Sequence, residues 1–74
     1  MSTKVTTELK EKVEAKLRRD PRLKDYPVEV LDHGGIIILQ GDVPSEAISM
    51  IIEGLVRQVE GVVSVSNELY IKSL

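Results

Sequence analysis

The feature that most limits the fold of this chain is the segment 35–43, which reads GIIILQGDV. Four consecutive aliphatic residues bounded by glycines are typical of a β-strand with at least one buried face. The segment 28–31 predicts another strand before it. Residues 32–35 end in two glycines, which adopt positive φ angles without steric cost, and they predict a tight turn. The sequence therefore predicts a β-hairpin at the centre of the chain.

Aliphatic residues spaced four apart predict two helices, one on each side of the hairpin. The first covers residues 7–19 and is stopped by Asp20-Pro21, because a residue that precedes proline avoids the α-helical region. The second begins after Ser45 as its N-cap and ends at Gly61 as its C-terminal glycine. Residues 62–71 predict a third strand.

The predicted order α-β-β-α-β gives an α+β fold, with a three-stranded mixed sheet and both helices packed on one face. The strand–helix–strand connection makes the last two strands parallel, with a right-handed crossover. Two helices of this length cannot bury both sides of three strands. The 74 residues predict a single domain over 1–74, close to the lower size limit for a core that is stable alone.

Composition argues against several classes of function. The chain has no cysteine, and its one histidine, His33, lies beside Asp32 without a nucleophile or a third ligand nearby in sequence. The sequence therefore predicts no catalytic residues, no metal site and no cofactor, so we do not expect an enzyme. It contains no apolar signal region and no membrane-spanning stretch, which predicts a cytoplasmic protein unless the domain was cut from a longer envelope protein.

Glycines and aliphatic residues recur at fixed spacings over nearly the whole chain, in the patterns Val28-x-Val30, Gly35-x-Ile37-x-Leu39-x-Gly41-x-Val43 and Gly61-Val62-x-x-Val65-x-Asn67-x-Leu69-x-Ile71. This pattern resembles the BON domain (bacterial OsmY and nodulation domain) family. The resemblance implies the αββαβ fold and a bacterial binding module associated with phospholipid membranes and envelope proteins, not an enzyme. It also implies a scaffold role, not ligand contact, for Gly35, Gly41, Gly61 and Asn67.

The central strand predicts an interaction surface. If Ile37 and Leu39 point toward the helices, Ile36 and Ile38 point to the opposite, uncovered face. Aliphatic side chains on a solvent-facing sheet indicate a site for a homodimer contact or a protein partner. The predicted interface residues, among surrounding Glu29, Gln40 and Glu68, are Leu31, Ile36, Ile38 and Tyr70. The alternative is that the apolar run is tolerated in water, or that the N-terminal tail covers it.

Charge is unevenly distributed along the chain. Residues 1–24 carry eight basic and four acidic side chains, and residues 25–74 carry two basic and eight acidic ones. One interpretation is a solvated helix with local pairing. The other is a basic surface for anionic phospholipid or head-to-tail self-association. The candidate lipid-binding residues are Lys10, Lys12, Lys16, Arg18, Arg19 and Arg22. Nucleic acid is disfavoured as a partner, because the chain lacks a GxxG loop and stacking aromatic pairs and is negative overall.

Overall fold

The computed structural model describes residues 5–72, which form two helices and one three-stranded sheet. The elements in chain order are α1 (Val5–Arg19), β1 (Glu29–His33), β2 (Ile36–Val43), α2 (Glu46–Arg57) and β3 (Ser64–Ile71). The strand order is β1-β2-β3, with β1 antiparallel and β3 parallel to β2. The predicted α-β-β-α-β fold with a mixed sheet is therefore confirmed.

Both helices lie on the same face of the sheet. The buried core contains alternate residues of β2 (Ile37, Leu39 and Val43) together with buried side chains of both helices. The contributions from the helices are Val13 and Leu17 of α1 and Ile52 and Val56 of α2. Since alternate residues of a strand point to opposite faces, the other side of the sheet carries no part of this core.

The hairpin turn consists of Gly34 and Gly35, whose φ angles are 62° and 93°. Positive φ at both central residues is characteristic of a type I′ turn, which matches the twist of the adjoining strands. The Asp32 carboxylate accepts a hydrogen bond from the Gly35 N–H at 2.9 Å, and His33 pairs with Ile36. The prediction of a turn over 32–35 was thus too long, because Asp32 and His33 belong to β1.

The prediction for α2 was correct at its start and wrong at its end. Ser45 is the N-cap, and its hydroxyl accepts a hydrogen bond from the Ile48 N–H. The helix ends at Arg57, because the amides of Gln58 and Val59 bond to carbonyls only three residues back, which tightens the chain into successive turns. Gly61, with φ 105°, lies in the turn before β3 and is not the C-terminal glycine of α2.

Candidate interaction surface

The face of the sheet opposite the helices, here called the open face, carries four cross-strand rows of side chains. The strand registers fix these rows. From the hairpin turn toward the other end of the sheet, they are His33–Ile36–Ser64, Leu31–Ile38–Ser66, Glu29–Gln40–Glu68 and Asp42–Tyr70. Successive rows are about 7 Å apart, since each is two residues further along a strand.

Three of the four predicted interface residues lie together on the open face. Leu31 and Ile38 are direct cross-strand partners, and both are half-buried. Ile36 occupies the adjacent row and is 44% exposed. Cross-strand apolar neighbours of this kind form a continuous surface. These three residues make a small apolar patch in the half of the face nearest the turn.

Tyr70 lies on the open face but apart from this patch. It is 72% exposed and stands beside Asp42. The polar row of Glu29, Gln40 and Glu68 separates it from Ile38, and within that row the Gln40 amide donates to the Glu68 carboxylate at 3.2 Å. The open face is therefore apolar near the turn and acidic toward the far end.

The six predicted lipid-binding residues do not form one continuous surface. With 100° of rotation per helical residue, Lys12, Lys16 and Arg19 follow one side of α1, and Lys10 and Arg18 follow the other. Among the described residues, none of these five cations is ion-paired.

The sixth residue, Arg22, is already engaged. Its guanidinium donates two hydrogen bonds to the Asp20 carboxylate, at 2.9 and 2.6 Å, and its backbone N–H donates a third. The side-chain hydrogen bond, followed by the backbone one, lowers the pKa of Asp20 to about 2. Lys16, Arg19 and Arg22 line a shallow depression together with Asp20 and Leu55. Three of the predicted cations thus meet there, with one carboxylate among them.

The three glycines predicted to have a scaffold role lie close to other parts of the chain. A Cβ on Gly35 would lie 2.7 Å from Val63, and one on Gly41 would lie 2.8 Å from the Pro27 carbonyl oxygen. Gly41 therefore marks a close approach of two backbone segments, and the register of β2 with β3 continues through it without a bulge. A Cβ on Gly61 would lie 3.3 Å from Leu9 of α1.

Asn67 connects β3 to α2 through a polar network that sequence reasoning missed. Its amide nitrogen donates to the Ser49 hydroxyl at 2.9 Å and to the Glu53 carboxylate at 3.0 Å, and its oxygen accepts from the Leu69 N–H. The bond from Asn67, and then that from Arg57, lowers the pKa of Glu53 below its ordinary value, against the opposing effect of desolvation. The sequence did contain a signal for this network, since Ser49 and Glu53 are two polar residues four apart on the aliphatic side of α2.

The described residues hold no cluster that could bind a metal ion. Asp32 bonds to the turn, and His33 lies on the opposite face from it. Neither described helix is long and apolar enough to cross a membrane.

Comparison with protein-family models agrees with this architecture. The model of the BON domain matches residues 6–73. The chain belongs to the BON-domain family. A search of curated proteins finds no match to it. The BON domain is known as a non-catalytic binding module for phospholipids or proteins, so this chain carries the fold of a binding domain.

Proposed function

We propose that this BON domain is a non-enzymatic interaction module in which two copies pack their open faces together. The observation that supports the proposal is the apolar patch of Leu31, Ile36 and Ile38. The buried core of the described residues lies entirely on the other side of the sheet, so these side chains are not part of it. Removing them from water would stabilise a complex by about 25 cal/mol for each Å² of apolar surface buried.

The arrangement of the rows favours a second copy as the occupant. A two-fold axis along the Leu31–Ile38–Ser66 row reverses the strand direction of the second sheet. This rotation places Glu29 of one copy over His33 of the other, and Glu68 over Ser64. The carboxylates of the two copies are thereby kept apart, which meets the requirement of electrostatic complementarity.

The predicted contact is a weak one. Stable interfaces bury about 800 Å² on each partner, whereas the patch offers three aliphatic side chains that are already partly covered. Tyr70 and Asp42 lie two rows from the proposed axis, beyond the turn of the second copy. In this arrangement Tyr70 is a peripheral residue of the interface, and the Leu31–Ile38 row is its centre.

Sedimentation velocity over a concentration series tests this interface. We expect the sedimentation coefficient of the wild type to rise with concentration, and that of the double variant Ile36→Lys with Ile38→Lys to rise clearly less. The reason is that the contact would enclose four unpaired ammonium groups, whose desolvation is not compensated. Met50→Lys is the control, because Met50 is 66% exposed on α2, away from the sheet. An equal rise in the wild type and in the correctly folded double variant would contradict the proposal.

A second candidate function is peripheral binding to anionic phospholipid through α1, supported by the five cations that form no ion pair in the described residues. Such binding is electrostatic, and each basic residue near a charged membrane contributes about 1 kcal/mol. No aromatic residue of α1 is available to insert into the bilayer. Membrane contact would thus be shallow and sensitive to salt.

Vesicle co-sedimentation tests the second candidate. We expect the protein to pellet with phosphatidylglycerol vesicles in 0.1 M salt and to be released in 1 M salt, where the screening length shrinks from about 10 Å to about 3 Å. Reversing charge in Lys12→Glu, Lys16→Glu and Arg19→Glu together should abolish binding, and Lys72→Glu, a change in a cation beside Asp42, should not. Equal binding to uncharged phosphatidylcholine vesicles, or none to either, would exclude this function.

A further inference from the structure

β3 is an edge strand whose outer side is paired with no other strand of residues 5–72. It is eight residues long and contains no proline, one charged residue (Glu68) and no bulge, since its register with β2 is continuous. β1, at the other edge, has only five residues. Soluble proteins usually shorten, charge or interrupt their edge strands, because an open edge is a template for another strand. β3 lacks most of these protections.

The hydrogen bonds around β3 show which backbone groups point to the open edge. The Lys72 N–H donates to the Val43 carbonyl at 2.7 Å, toward β2. Backbone groups alternate in direction along a strand, so the groups of Val65, Asn67, Leu69 and Ile71 point outward. The bond from the Leu69 N–H to the Asn67 side-chain oxygen is consistent with this assignment.

Exposed apolar side chains cluster at the two ends of this edge. Val63 is 74% exposed immediately before β3, and Tyr70 and Ile71 are 72% and 48% exposed at its end. They are three of the five large hydrophobic residues that are exposed among the described residues. A strand that brought apolar side chains to both ends of β3 would cover all three.

We infer that the strand that pairs with β3 is β3 of a second copy, antiparallel, with Asn67 opposite Asn67. The segment 63–71 reads VSVSNELYI and is complementary to itself about this residue. In this register Val65 faces Leu69, Ser66 faces Glu68 and Val63 faces Ile71. A shift of two residues would instead place Glu68 opposite Glu68, which is unfavourable. The result is one continuous six-stranded sheet.

Formation of this sheet requires one exchange of hydrogen bonds in each copy. The Leu69 N–H leaves the Asn67 side-chain oxygen and donates to the Val65 carbonyl of the second copy. The Asn67 amide nitrogen keeps its bonds to Ser49 and Glu53, so β3 stays attached to α2. The Val63 N–H takes no part, since it donates to the Gly35 carbonyl at 2.8 Å. The inference is independent of the packing of the open faces, because it uses the edge of the sheet.

Cross-linking tests the register directly, because the chain has no native cysteine. A Ser66→Cys protein is mixed with a Glu68→Cys protein and oxidised. These positions form a non-hydrogen-bonded pair with a Cα separation of about 4.5 Å, within the range that a disulfide spans. We expect a mixed disulfide dimer, identified by mass. It should form several times faster than in the control mixture of Ser66→Cys and Ser64→Cys, whose sites are opposite each other neither in this register nor in the packing of the open faces.

Two outcomes would overturn the inference. One is equal cross-linking in the two mixtures, which would indicate random collision. The other is loss of the fast cross-link when Ile36→Lys and Ile38→Lys are added to folded proteins, which would make the contact a consequence of the open face. Packing of the open faces alone does not produce the cross-link, since facing sheets are about 10 Å apart. Persistence of the cross-link in that background, together with sedimentation coefficients that rise equally with concentration in the wild type and the double variant, would support pairing of the edges and not packing of the faces.

Discussion

Replacing Gly41 with alanine should lower the free energy of unfolding by about 2–4 kcal/mol, which combines the strain of an unfavourable backbone conformation with a steric clash. The φ angle of Gly41 is 141°, a value that residues with a side chain rarely adopt. The added Cβ would lie 2.8 Å from the Pro27 carbonyl oxygen and 3.5 Å from the Val28 Cα, and both are backbone atoms. Relief therefore requires the chain before β1 to move away from β2.

Two other glycines are matched controls for this prediction. Gly34 has φ 62° but nothing within 4 Å of an added Cβ. Gly34→Ala should therefore lower the free energy of unfolding by about 1–2 kcal/mol, through the strain of the left-handed backbone alone. Gly54 is in the exposed interior of α2 with open space around it, so Gly54→Ala should stabilise by about 0.5–1 kcal/mol through helix propensity.

Urea denaturation of the three variants and the wild type measures the series. A domain of 74 residues has a total stability of about 4–11 kcal/mol, so the Gly41 variant should lose a large fraction of it. Gly41→Ala should be the least stable and Gly54→Ala the most stable of the four. A loss at Gly41 no greater than that at Gly34 would show that the contact with Pro27 is relieved at little cost.

The fold was predictable because its signals are local. The aliphatic run of β2, the two glycines of the turn and the spacing of four in the helices each specify one element. The end of α2 was predicted wrongly because Val59 continues the aliphatic spacing past Arg57. The periodicity does not reveal that, after Arg57, the backbone N–H groups bond to carbonyl groups three residues back and no longer four.

The site was less predictable because it depends on how separate elements align. Alternation along β3 places Tyr70 on the open face, but its distance from Ile38 depends on the parallel register, which pairs Asp42 with Tyr70. That register is produced by the whole crossover through α2. The bonds from Asn67 to Ser49 and Glu53 likewise depend on the rotation of α2 above β3. They join residues that are 18 and 14 positions apart in sequence.

Replacing Asn67 with alanine should lower the free energy of unfolding by about 1–3 kcal/mol at pH 7, the range for leaving buried polar partners unsatisfied. Ser49 is 7% exposed and would lose the hydrogen bond donated by Asn67. Glu53 would keep only Arg57, and the Leu69 N–H would lose its side-chain acceptor. Arg57→Ala is the control, because its i,i+4 ion pair with Glu53 is at the surface and should contribute only about 0.3–0.5 kcal/mol.

The effect of Asn67→Ala should also depend on pH, in a direction fixed by Glu53. Its folded-state pKa is lowered below 4.5, first by the bond from Asn67. A carboxyl whose pKa is lower when folded stabilises the protein above its unfolded-state pKa, and this contribution is lost as the pH falls through the folded-state value. The wild type should therefore lose more stability than the variant between pH 7 and pH 3. Urea denaturation at both pH values should show that the two proteins differ less in free energy of unfolding at pH 3 than at pH 7. A difference that is equal at both pH values would mean that Asn67 acts through Ser49 and Leu69, and that its bond to the Glu53 carboxylate contributes nothing to folding.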